Sequence, residues 1–334
     1  MIRATQKLIE YLNLEQDRPD VSVFHSLVNS ILKFGTKSDA DILLKKFLEA
    51  PFDDNNSYFF DVFRKFGDVD FAEKIYDQAI KDNRLLEQAD SEILQLLGDL
   101  KYEPVKETLA YYVFGDMGSD YYFRAHSALG LLNFDCAEYQ VQIKGAIEQC
   151  YGKSLIPEFI PALVCKLSDR TSYLEPLYEL GNDYASTDCN AGIMLGFSLC
   201  GEEGKQYFKK ALFNGNWEFF SGGTGNYVFA YKGLKNLNIS FAELYSIIRE
   251  IQDDKKLGYA LWVLFGLFEL RVKDYENDNI ESFMSLYSTF YGQKNRSDFS
   301  DLAERGSRLR DLWEYERLFE LKLTEEAIVE NFSV

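Results

Sequence analysis

The sequence predicts an all-α protein, built as a right-handed solenoid of about eight helical hairpins. A turn signal recurs every 31 to 35 residues, near Gly35, Gly67, Gly98, Asn133, Ser168, Gly201 and Asn236. Each unit carries wide apolar stripes at helical spacing, which must pack against the neighbouring units. The chain has only six prolines, and no long alternating segment is flanked by hairpin turns, so strand signals are poor.

The elements follow one another along the chain. An amphipathic helix between Met1 and Leu14 precedes the first unit. The repeat design is clearest from Phe59 to Ile80, where apolar residues follow the turn at i, i+1, i+4, i+5, i+8 and i+9, and it returns between Ile193 and Leu212. Weaker copies include Leu27, Val28, Ile31, Leu32, Ile93, Leu94, Leu96, Leu97, Ile160, Ala162, Leu163, Leu167, Ala260, Leu261, Val263, Leu264 and Leu267.

The end of the chain differs from the rest. The last unit has a longer turn, from Arg271 to Asn279. From Ser300 onward the sequence predicts an amphipathic helix with charges of both signs, as expected of a cap whose outer face contacts water. No linker rich in Gly, Ser or Pro interrupts the chain. We therefore predict a repeat array over residues 1–295 and a C-terminal helical cap over residues 296–334, both in one domain.

The hairpins resemble HEAT-like repeats, whose short paired helices of irregular sequence build a curved superhelix. Two stretches, from Phe71 to Ile80 and from Gly204 to Leu212, also resemble the second helix of tetratricopeptide repeats. The small residue and the aromatic residue expected in the preceding helix are mostly missing, with Phe60 and Phe63 standing there in one unit. This departure favours a degenerate HEAT-like solenoid. The resemblance covers residues 20 to 290, roughly, and implies an architecture but no catalytic residue.

The inner turns share a chemistry, since Gly, Asn or Ser is followed within a few residues by acids. Glycine accepts a left-handed backbone at the end of the first helix, and an acid caps the free amides of the second. If equivalent turns align along one edge, these acids form a negative ridge; ordinary capping is the alternative. The acids are Asp39, Asp41, Asp68, Asp70, Asp99, Asp135, Asp169, Glu202 and Glu203. The acids expected to contact a partner are Asp68, Asp70, Asp99, Asp135, Asp169, Glu202 and Glu203.

One connection stands out, between Phe213 and Tyr227. It is rich in glycine at residues 221–226 and carries three large aromatic residues, Trp217, Phe219 and Phe220. A glycine-rich turn before a helix can bind an anion, but this one lacks the Lys and Ser/Thr of a nucleotide-binding loop. We therefore expect either an aromatic anchor for a protein partner or a plug between two repeats.

Candidate catalytic groups are few. The only two histidines, His25 and His126, lie far apart within predicted helices, and neither has a nearby Cys or His cluster that could form a zinc site. The acid pairs Asp53/Asp54 and Asp253/Asp254 are typical of polar loops, and the run Asp274, Glu276, Asp278 lacks the glycine and the closing Glu of a calcium loop. We therefore expect no catalytic residue, no metal and no cofactor.

The cysteines and the hydropathy indicate a compartment. None of the five cysteines forms a CxxC pair, and most have apolar neighbours, which is typical of buried thiols in a reducing environment. No signal peptide is evident, and the longest apolar run, Tyr259 to Leu270, is too short to cross a bilayer. We therefore expect a cytoplasmic protein without a membrane partner.

The formal net charge of −18 is the strongest constraint on partners. A phosphate backbone or an anionic membrane is disfavoured unless a local basic patch outweighs this field. A basic protein is the natural complement, because opposite charges speed association. The alternative is that acidity only keeps the protein soluble.

We therefore expect a non-catalytic protein–protein interaction module, in which a groove lined by the second helices holds a basic partner. One concrete version, based on charge and fold class, is a bacterial immunity or antitoxin-like protein that neutralises a basic toxin. The alternatives are an enzyme on a HEAT-like scaffold, resembling DNA glycosylases or bilin lyases, and a tetratricopeptide-like adaptor. A basic strip would favour the enzyme, and a uniformly negative groove the binding module.

Overall fold

A computed structural model describes residues 1–14, 19–52, 54–115, 121–151, 158–182, 189–214, 232–261, 263 and 302–319. The protein is predominantly helical, so the prediction of an all-α fold is confirmed. The chain divides into two compact units, which meet in sequence between Ser168 and Asp169. The predicted division into an array and a C-terminal cap of one domain stays a prediction.

The described residues of unit 1, up to Ser168, form a succession of short helices with four 3₁₀ segments. The α-helices are α1 (Arg3–Leu12), α2 (Val21–Phe34), α3 (Lys37–Glu49), α4 (Phe60–Phe66), α5 (Val69–Ala79), α6 (Glu92–Asp99), α7 (Lys106–Phe114), α8 (Tyr121–Leu131) and α9 (Gln140–Glu148). The 3₁₀ segments are Asp54–Phe59, Glu103–Val105, Ala137–Tyr139 and Ile160–Lys166.

In unit 1, most helices pack against the second helix that follows them in the sequence. Helix α2 packs against α4, α4 against α6 and α6 against α8, while α3 packs against α5. The phenylalanines that the sequence places around Gly67 form the centre of this packing. The rings of Phe47 and Phe71 both lie against Phe63, with centroids 6.0 and 5.7 Å away, and all three side chains are buried. Edge-to-face contacts of this kind stabilise a core beyond its buried area.

The predicted turn positions lie at or near helix ends. Gly35 follows α2 directly, and Gly67 follows α4. The other predicted turn positions lie less regularly. Gly98 lies in the last turn of α6, Asn133 after α8, and Ser168 after the 3₁₀ segment Ile160–Lys166. Gly201 directly precedes the helix Glu202–Leu212, and Asn236 ends a helical stretch over 232–236.

Helices α6 and α8 cross at two glycines. A Cβ atom on Gly98 would lie 2.3 Å from the Cα atom of Gly130, and one on Gly130 would lie 2.9 Å from the carbonyl oxygen of Leu94. Distances this short are incompatible with a side chain, because each new atom would meet backbone. The close approach of α6 and α8 therefore depends on both glycines.

A two-stranded hairpin, β1 (Ile80–Lys81) and β2 (Arg84–Leu85), follows α5. The sequence predicted a helix as far as Ile80, and the helix ends one residue earlier. Asp82 and Asn83 form the turn with φ of 50° and 56°, a left-handed pair that suits a tight antiparallel hairpin. The hydroxyl of Tyr112 accepts a hydrogen bond of 3.0 Å from the Leu85 amide, which attaches the hairpin to α7.

The turn acid Asp39 is buried and joins α1 to α3. One oxygen accepts hydrogen bonds from the Ile2 amide (2.7 Å) and the Thr5 hydroxyl (2.9 Å), and the other accepts from the amide and hydroxyl of Thr36 (both 3.1 Å). Burial acts to raise the pKa of Asp39, but these donors outweigh it and hold that pKa below its ordinary value. The acid therefore caps α3 and at the same time fixes the start of α1.

Replacing Asp39 with alanine is expected to lower the free energy of unfolding by about 2 kcal/mol, since a cap is lost and buried donors are left unpaired. Because the pKa of Asp39 is lowered in the folded state, its contribution is present above the pKa of the unfolded chain and is lost as the pH falls below it. Urea unfolding at pH 7 and pH 3 measures both effects. The exposed Asp41 of the same helix provides the control, and an equal loss in Asp41→Ala would contradict the assignment.

Unit 2, from Asp169 onward, contains α10 (Thr171–Asn182), α11 (Asn190–Leu199), α12 (Glu202–Leu212), α13 (Phe241–Ile248) and α14 (Leu302–Phe319). Helices α10, α11 and α12 pack against one another. Helix α14 is the helix that the sequence predicts after Ser300. Its Arg310 donates to the Asp254 carboxylate (2.5 Å) and to the Ile251 carbonyl (2.7 Å). Its Trp313 donates to the hydroxyl of Tyr245 (2.5 Å), so α14 is docked on α13 and the turn that follows it.

Candidate functional site

Several turn acids pair with a basic residue that lies one repeat earlier in the sequence. Asp68 contacts Lys37 (2.5 Å) across 31 residues, Asp99 contacts Arg64 (2.9 Å) across 35, and Glu203 contacts Arg170 (2.6 Å) across 33. The pairs Lys106–Glu138 (2.5 Å) and Lys209–Glu243 (2.8 Å) follow the same rule. We call these five pairs the ion-pair ladder. Its spacing equals the period of the turns, so each pair connects consecutive units of the sequence repeat.

The other predicted turn acids are arranged differently. Asp70, Asp135, Asp169 and Glu202 are exposed. Asp135 accepts a hydrogen bond of 3.1 Å from the Ala137 amide, while Glu202 lies 4.0 Å from the Lys205 nitrogen. The ladder compensates the charge of Asp68, Asp99 and Glu203 within the chain. Contact of the whole set with a partner stays a prediction.

The aromatic loop lies outside the described residues. This applies to Trp217, Phe219 and Phe220 and to the glycine-rich residues 221–226, as well as to Asp53 and to the acids at 274, 276 and 278. Of the remaining candidate groups, His25 is half-buried, with its ring 5.6 Å from that of Tyr58. Asp254 binds Arg310, as described above. Four cysteines are buried and Cys165 is half-buried.

A cluster of charged side chains joins α4 and α6, and Arg64 is at its centre. The guanidinium donates through Nε to Asp99 (2.9 Å), through Nη1 to Asp61 (2.9 Å) and through Nη2 to Glu92 (2.7 Å). Asn133 donates to the second oxygen of Asp99 (3.0 Å). We call Arg64 and its three carboxylates the Arg64 cluster. The fork geometry of arginine allows one side chain to bind three acids on two helices.

The Arg64 cluster carries more negative than positive charge in a partly buried place. The Arg64 side chain is 21% exposed, and its acidic partners are between 18% and 30% exposed. Burial raises the pKa of Glu92, and the negative charges of Asp61 and Asp90 add to this while Arg64 opposes it. The cluster is therefore held together by one cation, and the acids repel one another without it.

His126 of α8 lies beside this cluster. Its Nδ1 is 3.2 Å from the side-chain oxygen of Gln95 in α6. Burial and the positive charge of Arg64 lower the pKa of His126 to about 4, although Asp90 acts in the opposite direction. The imidazole is therefore neutral at pH 7 and contributes a hydrogen bond between α6 and α8.

The unfolded state is expected to bind a proton at His126 below about pH 6.5, while the folded state binds it only near pH 4. The contribution of neutral His126 to the free energy of unfolding is therefore complete above pH 6.5. It decreases as the pH falls towards 4, by about 3 kcal/mol at most. His126→Gln retains a group that can bond to Gln95 and removes this part of the pH dependence. NMR titration of the two histidines, with urea unfolding at pH 7 and 4.5, measures it. Titration of His126 near pH 6.5 would contradict the assignment.

A different surface combines tyrosines with acids, and we call it the α5 face: Glu73, Tyr76 and Asp77 of α5, with Tyr102 before α7. The rings of Tyr76 and Tyr102 are in contact, with centroids 5.3 Å apart. Partial burial raises the pKa of Tyr102, and the negative charges of Glu73 and Asp77 raise it further, so both carboxylates act on this hydroxyl. Within the described part of the chain, neither carboxylate forms an ion pair.

Sequence reasoning missed the Arg64 cluster and the α5 face. For the cluster, the available signal was that Arg64 lies one repeat period before the turn acid Asp99. This spacing predicts a contact only if it is known which positions of successive units lie opposite each other. For the α5 face, the signal was the spacing of Asp70, Glu73 and Asp77, which places acids on one side of a helix. Tyr102 belongs to another element, so no local pattern brings it there.

Among the described residues, no group of three or more His, Cys, Asp or Glu side chains is arranged to hold a metal ion. No described helix is both long enough and apolar enough to span a bilayer. Comparison with known proteins finds no matching family model, no similar curated protein and no similar solved structure. The candidate surfaces are therefore interpreted from their own chemistry.

Proposed function

We propose that the protein is a non-catalytic binding module whose partner is a basic protein. Its helices form HEAT-like helical-hairpin repeats, and the repeated units present acidic surface to the partner. An immunity or antitoxin-like role, in which the module neutralises a basic toxin, is the concrete version that we favour. Its place of action would be the bacterial cytoplasm.

The observation that carries this proposal is the excess of acids over bases. With 54 acidic and 36 basic residues, at least 18 carboxylates have no basic side chain of their own even if every base pairs once. The ion-pair ladder and the Arg64 cluster use several bases internally. The remaining carboxylates create a field that attracts a cationic protein and repels nucleic acid.

The repeat interpretation is supported by contacts as well as by sequence. In unit 1, α2 packs on α4, α4 on α6 and α6 on α8, and these are the helices that the sequence repeat predicts to be equivalent. The ladder connects residues 31 to 35 positions apart, which is the distance between successive turns. Both features are expected when neighbouring units of a repeat stack on each other.

Affinity capture of the tagged protein from its native lysate, at about 50 mM and 500 mM salt, tests the proposal by mass spectrometry. We expect one stoichiometric protein of high isoelectric point that is released at high salt. An unrelated protein of similar charge serves as the control bait. Recovery of no protein, or of an acidic one that resists salt, would reject the proposal.

A further inference from the structure

We propose that the α5 face is the part of the module that receives an arginine side chain from an exposed basic segment of the partner. This inference rests on the proposed function and assigns to it a surface and a chemical group. The guanidinium would stack on the Tyr76–Tyr102 pair and bind the carboxylates of Glu73 and Asp77.

The first argument is that the acids of α5 form no ion pair with any residue that the structure describes. Asp70, Glu73 and Asp77 follow one another at i, i+3 and i+7 and are all exposed. Like charges three or four residues apart on a helix repel and destabilise it. Lys74 is exposed on the same helix and, like the three acids, makes no ion pair with any residue that the structure describes. All five ladder acids, in contrast, have a basic partner within 3 Å.

The second argument is the aromatic pair beside these acids. Tyr76 and Tyr102 are both partly exposed, and their rings meet at an angle of 57°. The face of a tyrosine ring attracts a cation, and arginine also stacks on it through its flat guanidinium. Acids alone would attract any cation. Acids with two adjacent aromatic rings favour a flat cation such as a guanidinium group.

The third argument is that the surroundings of the pair are held in place. The Tyr76 hydroxyl donates to the side chain of Asn83 in the hairpin turn (3.4 Å), and Asn83 donates to Glu107 of α7 (3.1 Å). The same region already stacks a guanidinium on a tyrosine, since Arg84 lies 3.1 Å from the ring centroid of Tyr111. A rigid surface loses less entropy on binding, so its contacts translate better into affinity.

The test uses a fluorescein-labelled heptapeptide of alternating glycine and arginine, with its lysine counterpart, and measures fluorescence anisotropy at low salt. We expect the double variant Glu73→Gln/Asp77→Asn to weaken binding of the arginine peptide by at least 5-fold. The control is Glu304→Gln/Asp311→Asn, which removes the same charges from exposed positions of α14 and is expected to change affinity less than 2-fold.

The tyrosine is tested separately. Tyr76→Leu is expected to weaken binding of the arginine peptide about 3-fold, while Tyr76→Phe keeps the ring and nearly all of the affinity. The lysine peptide is expected to bind more weakly than the arginine peptide, and this difference is expected to shrink in Tyr76→Leu. Circular dichroism of each variant confirms that the fold is retained.

Three results would overturn the inference. Equal losses in the two double variants would show a general effect of charge, and equal binding by Tyr76→Leu and wild type would remove the stacking contact. No binding of the arginine peptide to the wild-type protein would also overturn the inference. None of these results decides the proposed function, which is tested by affinity capture from lysate. If the Glu73→Gln/Asp77→Asn variant still captured the basic protein, the proposed function would be supported but its site would lie elsewhere.

Discussion

Replacing Gly98 with alanine is expected to lower the free energy of unfolding by about 3 kcal/mol or more, the upper end of overpacking effects. The new methyl carbon would lie 2.3 Å from the Cα atom and 2.6 Å from the carbonyl oxygen of Gly130, so α6 and α8 must move apart. Rotamer changes cannot relieve a contact between two backbones. Urea unfolding followed by circular dichroism measures the loss.

Two further glycines make this prediction specific. Gly130→Ala is expected to cost less than Gly98→Ala, because its nearest contacts are the Leu94 oxygen at 2.9 Å and a flexible Leu109 side chain at 3.2 Å. Gly145 of α9 has no atom within 4 Å of its new methyl group, so Gly145→Ala is expected to stabilise the helix by about 0.5–1 kcal/mol. A Gly98→Ala variant as stable as wild type would show that the helices do not cross at this distance.

Replacing Arg64 with methionine is expected to lower the free energy of unfolding by about 3–5 kcal/mol at pH 7, because three partly buried carboxylates lose the cation that they share. Arg64→Lys is expected to recover part of the loss, since an ammonium group carries the charge but not the fork that reaches Asp61, Glu92 and Asp99 together. The exposed pair of Arg317 and Glu314 in α14 provides the control. Arg317→Met is expected to change stability by about 0.5 kcal/mol or less.

The pH dependence separates charge from packing in the Arg64→Met variant. Burial already raises the pKa of Glu92 with Arg64 present, and loss of the guanidinium raises the pKa of Glu92 further. The folded variant then binds protons at a higher pH than the unfolded chain, so the stability it loses at pH 7 is partly restored as the pH falls to 5. A gap to wild type that stays constant between pH 7 and 5 would mean that the loss comes from packing.

Much of the secondary structure was predictable. The Phe59–Phe66 and Phe71–Ile80 stripes, the turns at Gly35 and Gly67 and the C-terminal helix are all local patterns, because the side-chain period of a helix is written in neighbouring residues. The hairpin at Ile80–Leu85 was missed, since two-residue strands carry no alternation. Its only local signal was Asp82 and Asn83, residues that tolerate a left-handed backbone.

The candidate site was predictable only in kind. Charge and composition predicted an acidic binding surface, and contact of the turn acids with a partner stays a prediction. Their individual roles were not visible: Asp39 is buried as a double cap, Asp68, Asp99 and Glu203 are in the ladder, and Asp70 remains exposed. These roles differ because each depends on what the preceding unit places opposite the acid.

The sequence by itself therefore determined the helical class, the period of the turns and the excess of negative charge, all of which are properties of single segments or of composition. The tertiary structure alone decided that Arg64 binds acids from α4 and α6, that Gly98 meets Gly130, and that the ring of Tyr102 contacts the ring of Tyr76 beside Glu73 and Asp77. The physical reason is that hydrogen bonds, ion pairs and ring contacts act over a few ångströms. Which residues come that close is set by the packing of helices that are distant in sequence.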